Sequence, residues 1–441
     1  MAQHMLENLD ISFNSIRTLS QQAFWGLKSL KHLDLRNNLI SEIVPKNFIF
    51  LQSLEVLFLG ENRISAVSTK AFRKLSKLKV LDMSNNVIET LPTDSLKKLK
   101  SIEDLNLSGN KIAVIQPHAF PLLSTLLSLN LARNNIRKIN EEGFDGVIGV
   151  KELYLQQNDL NEFPSESFSK LANLSKLFIG QNLFEEISEN ALDRNIYLSI
   201  LNISYCPQLI EIKAAAFQRN ILLKSIVIAD NPYLINIDQN AFNKNTQVEH
   251  LDLKGNQLTS LSENLLNWKS LKSLDLSSNL WYCDCDMLWL QNTIKSLVNT
   301  SQARVKIVHC FSGTDILTED IETCEGITDL LDEAMVVNIV TVIVCTIVST
   351  LVIICIIVCI TTKCRNTKDM ISYNTSQYNV ETEEYCHDIH TGQHWQEQDY
   401  IHLPSDNSEQ FTDSIEFSES TSQGDASERK IIELRPARWH L

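Results

Sequence analysis

The sequence predicts an α/β solenoid of stacked parallel strands, and three regularities predict it: a recurring asparagine, a leucine ladder ahead of it and a phenylalanine behind it. The asparagines are Asn14, Asn38, Asn62, Asn86, Asn110, Asn134, Asn158 and Asn182, followed by Cys206, Asn231, Asn256 and Asn279. The spacing is 24 residues as far as Cys206, then 25, 25 and 23, and a period in this range marks a coil of repeated units.

Within one unit, Leu30, Leu33 and Leu35 precede Asn38, with Ile40 after it. Residues two apart on a strand share a face, so Leu33 and Leu35 point inward and Asp34 outward. The chain must then turn, and an Asn amide both donates and accepts, so it can satisfy turn groups that no sheet partner reaches. The stacked asparagines form an internal ladder. Phe24, Phe48, Phe72, Phe120, Phe144, Phe168, Phe217 and Phe242 recur later in their units, with Leu96, Leu192 and Leu265 in the gaps, giving a second apolar column on the convex side. One such unit cannot bury its own apolar side, so stacking is obligatory.

These residues resemble the leucine-rich repeat family, in the 24-residue, Phe-spined form of extracellular receptors and adhesion proteins. The resemblance covers roughly residues 6 to 325. It implies a right-handed horseshoe solenoid with a parallel sheet on its concave face, followed here by one transmembrane helix and a disordered tail. The expected domains are 1–280, about twelve repeats; 281–326, a cysteine-flanked cap; 327–334, juxtamembrane; 335–361, transmembrane; and 362–441, tail.

Cysteine positions agree with an exported chain. Cys206 occupies the ladder slot, where a small buried side chain is tolerated. Cys283, Cys285, Cys310 and Cys324 follow the last repeat, where a solenoid end needs a cap, and four clustered cysteines imply disulfides and an oxidising compartment. Four cysteines allow three pairings. The cluster resembles the C-terminal flanking domain of extracellular leucine-rich repeat proteins, and that resemblance implies Cys283 with Cys310 and Cys285 with Cys324. Zinc is the other use of four cysteines, but the C-x-C start and the adjacent apolar segment weigh against it, and no metal or other cofactor is expected.

From Met335 to Ile360 no charged residue occurs, a length sufficient to span a bilayer. Asp329, Asp332 and Glu333 precede the span while Lys363, Arg365 and Lys368 follow it, which places the repeats outside and the C-terminus in the cytoplasm of a plasma-membrane protein. Asn106, Asn173, Asn202 and Asn299 head N-x-S/T sequons and are glycosylation candidates. Met1 to Met5 lead directly into the first repeat, with no signal peptide and no cysteine cap, so a truncated N-terminus is expected.

The candidate recognition surface is the outward column of the strands, Asp10, Asp34, Phe58, Asp82, Asn106, Asn130, Tyr154, Phe178, Asn202, Val227, Asp252 and Asp275. Neighbouring strands lie about 4.8 Å apart, so Tyr154 and Phe178 should touch, with Gln156, Gln157, Gln181 and Tyr205 around them. Aromatics beside adaptable amides are hot-spot chemistry for a protein or other macromolecular ligand. A net charge of -15 is a poor match to nucleic acid.

The tail from Thr362 to Leu441 is polar and acidic, and too poor in large apolar residues to fold. Toll-like receptors resemble the ectodomain and span, but this tail is too short and polar for their globular Toll/interleukin-receptor domain. Tyr373, Tyr378, Tyr385 and Tyr400 are phosphorylation candidates that would recruit cytoplasmic adaptors. Tyr400 to Leu403 resembles a Tyr-x-x-apolar sorting signal, and Trp439 to Leu441 is a candidate C-terminal peptide ligand. Cys364 is a palmitoylation candidate, whereas Cys386, His387, His390 and His394 have ligand-like spacing in a segment that cannot preorganise a metal site.

No phosphate loop, HExxH or nucleophile elbow occurs, so an enzyme is not expected. The residues point to a single-pass receptor or adhesion protein. The alternatives are a co-receptor or decoy regulator without its own signalling domain, and a structural protein of matrix or cell contacts.

Overall fold

A computed structural model of the chain describes residues 5–300, 303–318, 343–344, 346–354 and 357. Twelve repeat strands, from Asn8–Asp10 to Ser273–Asp275, pair in chain order and strictly parallel, and Arg304–Val305 from the cap adds a thirteenth strand to the same sheet. They enclose a solenoid of about 11 turns. The register sets like residues side by side: Leu153 pairs with Leu129 and Leu177, and Tyr154 with Asn130 and Phe178. A single 24-residue slip would preserve this pattern, so register rests on each turn following its predecessor directly in the chain.

Inward leucines such as Leu33, Leu57, Leu81 and Leu105 are wholly buried. The asparagines close the turns from inside. Asn62 donates from Nδ2 to the carbonyls of Leu35 (3.0 Å), Leu59 (3.1 Å) and Gly60 (3.1 Å), while its Oδ1 accepts from the amide of Ile40 (3.0 Å). Asn62 thus stitches its own turn to the one before it.

The residue immediately before each ladder position is forced into the left-handed region: Asn37, Glu61, Asn85, Arg133, Gln157, Gln181, Tyr205 and Asp230 all have φ between 51° and 61°. Gly109 and Gly255 fill the same position at φ 65°. A Cβ on Gly109 would meet Asn85 Oδ1 at 2.2 Å, so glycine there serves close approach as well as conformation.

On the convex side the phenylalanines stack, with Phe120 to Phe144 at 6.0 Å and Phe144 to Phe168 at 6.4 Å between ring centroids. The return path is mostly turns. Only Thr93–Leu96 and Ser165–Phe168 complete an α-helical turn, each directly after a proline whose fixed φ favours helix entry. A further column passed unnoticed in the sequence: Asn195, Asn220 and Asn245 are buried, and Asn220 donates to the carbonyls of Leu192 (3.0 Å) and Asn195 (2.8 Å) in the preceding turn.

The cap closes the far end. Its helix, Leu288–Asn299, buries Leu290, Ile294 and Leu297, and Trp281 is fully buried with its indole N–H on the Leu276 carbonyl (2.8 Å). Cys283 and Cys310 are joined, with Cα atoms 5.6 Å apart. Cys285 is also disulfide-bonded, and Cys324 lies outside the described residues.

The expected span 335–361 lies largely outside the described residues; those of it that are described, 343–344, 346–354 and 357, are helical. Among the described residues no helix is long and apolar enough to cross a membrane.

Candidate functional site on the concave face

The flat outward positions of neighbouring strands bring Tyr154 and Phe178 together as stacked rings, 4.9 Å between centroids and 6° from parallel. The Tyr154 hydroxyl donates to Glu152 (3.0 Å), and Glu152 is paired with Lys176 (2.7 Å). Burial and this carboxylate hold the phenol protonated, with its pKa pushed up to about 12. A triad of ordered side chains therefore fixes the rings before any ligand arrives.

Beside Phe178 the sheet hollows into a depression of about 340 Å³. Gly180, Ser204 and Ala229 form its floor because successive turns carry small residues at one position. A Cβ on Gly180 would lie 2.3 Å from the Ser204 carbonyl oxygen, so the floor admits nothing larger there. Gln156, Phe178 and Asn202 rise around it, with Gln181, Tyr205, Asp230, Asp252 and Lys254. Gln156 Oε1 is buried without a hydrogen-bond partner among the described residues.

Of the six residues singled out from sequence, Tyr154 and Phe178 stack, and Gln156, Phe178, Gln181 and Tyr205 line the hollow. Gln157 does not line it. It shares the left-handed backbone of Gln181 and Tyr205, one and two turns further on, but stands a turn ahead of the hollow they line. At the far side Asp252 of the outward column is joined by Asp230 and Lys254, which the sequence did not single out. Lys254 lies 3.7 Å from Asp230, and Asp230 followed by Asp252 holds its ammonium above the usual lysine range. Burial raises the Asp252 carboxyl, with Asp275 and Asp230 adding to it. Nearer the middle of the sheet, burial raises Asp104, reinforced by Asp82 and Glu152. A second hollow of about 400 Å³, sharing Val227 and Asp252 with the first, runs to Arg304 on the cap strand and to Lys306 just after it.

Two sequon asparagines stand on this face. Asn202 lines the first hollow, and Asn106 accepts from the amide (3.0 Å) and hydroxyl (2.7 Å) of Ser108, the third residue of its own sequon. Asn173 is exposed, ahead of its strand, and donates to the Ile148 carbonyl (3.1 Å). Asn299 ends the cap helix. Cys206 is buried in its ladder slot, and desolvation pushes its thiol up to about 11, so it is no nucleophile at neutral pH. The tail candidates Tyr373, Tyr378, Tyr385, Tyr400, Leu403 and Leu441, the candidate Cys364, and Cys386 with its histidines lie outside the described residues. No metal-ligating cluster occurs among the described residues.

A leucine rich repeat family model matches residues 4–64, 52–112, 109–160, 148–207 and 221–280. A comparison with curated proteins finds no match. Among solved structures, the chain resembles one from the octameric complex of Latrophilin 3, Unc5D and FLRT2, in which FLRT2 supplies the leucine-rich repeats (TM-score 0.55, 20% identity, 72% of this chain and 90% of that one). It also resembles the TLR13–ssRNA13 complex (TM-score 0.53, 22% identity, 68% and 50%) and the Toll–Spätzle complex of Drosophila (TM-score 0.51, 18% identity, 71% and 54%). It thus spans about half the length of the latter two chains, and at these identities the likeness is one of fold. With more than half of its length matched by the family model and its asparagine-closed turns stacked in one parallel sheet, the chain belongs to the leucine-rich repeat family.

Proposed function

We propose that this chain is a single-pass cell-surface receptor or adhesion protein that binds a protein ligand on its concave face. The observation that carries the proposal is the stacked Tyr154–Phe178 pair beside a hollow rimmed by amides and carboxylates. Prepositioned aromatic area next to adaptable hydrogen-bonding groups is the composition of binding hot spots. The likeness in fold to a chain from the Toll–Spätzle complex and to one from the Latrophilin 3, Unc5D and FLRT2 complex supports a macromolecular ligand. A nucleic acid such as that bound to TLR13 is disfavoured. Asp82, Asp104, Glu152, Asp252 and Asp275 stand on the sheet, and burying more phosphate charge against them is repulsive.

In this reading residues 335–361 cross the plasma membrane and 362–441 are cytoplasmic, supported by the Lys363, Arg365 and Lys368 flank. The repeats are a binding scaffold, not a catalyst.

The test is a screen of cells displaying the full chain against an array of secreted and cell-surface ectodomains, repeated with Tyr154→Ala/Phe178→Ala. The double variant should lose at least tenfold in affinity for the captured ectodomain while its thermal transition stays within a few degrees. Unchanged affinity would overturn the concave-face assignment.

A further inference from the structure

The flank on which each turn leaves the concave sheet changes chemistry along the solenoid. One row of it lies three residues past the ladder asparagine, and in the earlier turns it is mostly polar, with Ser41, Ser65, Arg137 and Glu185 and one small apolar member, Ala113. The extra residue of the longer units moves the row one place on. There Ile210 donates its amide to the Glu185 carbonyl (2.8 Å) and Ile235 to Ile210 (3.0 Å); beyond Thr259, Tyr282 donates to Thr259 (3.0 Å). A polar row therefore becomes Ile210, Ile235 and Tyr282, which are 42%, 55% and 53% exposed.

Two further side chains widen it. Tyr233, 60% exposed, stands two residues before Ile235, in the turn that leads to it. Phe311, 65% exposed, lies 5.6 Å from the Tyr282 ring, and the bond between Cys283 and Cys310, each next in sequence to one of these aromatics, fixes the pair. Thr259 stands between Ile235 and Tyr282, so the flank carries two apolar clusters in line, and clustered exposed apolar side chains mark a contact site whereas single ones do not. No sequon lies on the row. Asn173 sits ahead of its strand beside Ile148, so a glycan there would cover other exposed apolar residues and leave this stripe open.

Its borders carry four carboxylates against two lysines, a net acidic excess. Glu185, Glu186 and Glu211 run along one edge, with Lys213 shared between Glu186 (3.3 Å) and Glu211, and on the other edge Asp230 is matched by Lys254. Two copies laid stripe to stripe would oppose like charges, while a basic rim would be attracted. We propose that the stripe from Ile210 to Phe311 is a second docking surface, bordering the concave hollow at Asp230 but distinct from the Tyr154–Phe178 pair, for a different protein that presents apolar side chains framed by Lys and Arg.

The experiment places a benzophenone photo-crosslinking amino acid at position 235 in the full chain expressed on cells, with position 65 of the same row as control. The expected result is a discrete adduct with a different protein whose crosslinked peptide carries Lys or Arg beside apolar residues. Its yield should fall at least tenfold with Ile210→Asp/Tyr233→Asp and severalfold when salt is raised, and stay unchanged with Tyr154→Ala/Phe178→Ala. That last arm separates this surface from the concave one. An adduct of the chain with itself, an adduct insensitive to salt, or no yield above the position-65 control would each overturn the proposal. Folding of the Asp variant is checked by retention of its thermal transition.

Discussion

Asn134→Ala should destabilise its segment of the solenoid by about 3–5 kcal/mol, most of it from one orphaned amide and three lost bonds. Asn134 Oδ1 accepts from the amide of Ile112 (3.1 Å), and Nδ2 donates to Leu107 (3.0 Å), Leu131 (3.0 Å) and Ala132 (3.2 Å). The three carbonyls keep a second donor each, from Asn110, Asn158 and the amide of Gly109. Ile112 N–H has no such reserve, and it is buried. Asn14→Ala is the control. Asn14 is exposed and bonds only within its own turn, so its loss should cost about 1 kcal/mol or less. Because long repeat arrays need not unfold in one step, the measurement is hydrogen exchange of amides on either side of the altered turn under increasing denaturant. Equal effects of the two variants would show that the ladder is not what fastens the turns.

Phe144→Ala should cost a similar amount, about 3–5 kcal/mol, by leaving a cavity in the convex column. Its ring is fully buried between Phe120 and Phe168, and neighbours in a parallel stack cannot collapse inward without breaking register. Phe144→Leu should be far milder, because Leu96, Leu192 and Leu265 occupy the equivalent position, all buried. Denaturant midpoints of the two variants check this. A leucine variant as damaged as the alanine one would mean that ring stacking, not filled volume, supports the convex side.

Much of the molecule could be read from spacing alone. Strand register, the inward leucines, the asparagine stitching and the phenylalanine column all follow from period-two alternation inside a 24-residue repeat, and local pattern and global fold agree throughout. The Tyr154–Phe178 contact was legible for the same reason. The hollow beside it was less so, since its floor is defined by what Gly180, Ser204 and Ala229 lack rather than by what they present. Gln157 lies off the hollow while Gln181 and Tyr205, at the equivalent left-handed position, line it, because the hollow opens one turn further along and its place is not marked by the repeat. The strand Arg304–Val305 was hidden because it lies outside the repeat, and its two residues carry no period. The column of Asn195, Asn220 and Asn245 was visible at intervals of 25 residues but lay in the shadow of the stronger ladder.

At Cys206 that stronger ladder drops a rung. One thiol with a weak donor, 4.0 Å from the Ser204 carbonyl oxygen, replaces an amide able to reach three acceptors. Asn220 supplies a fastening between the same two turns, but on the convex side. A coil clasped along its spine and slack along its inner curve flexes by widening that curve, and the slack point adjoins Tyr205 on the rim of the hollow. The recognition face is therefore most pliant beside that hollow, and Cys206→Asn should stiffen it, seen as slower amide exchange around Phe184 and Tyr205.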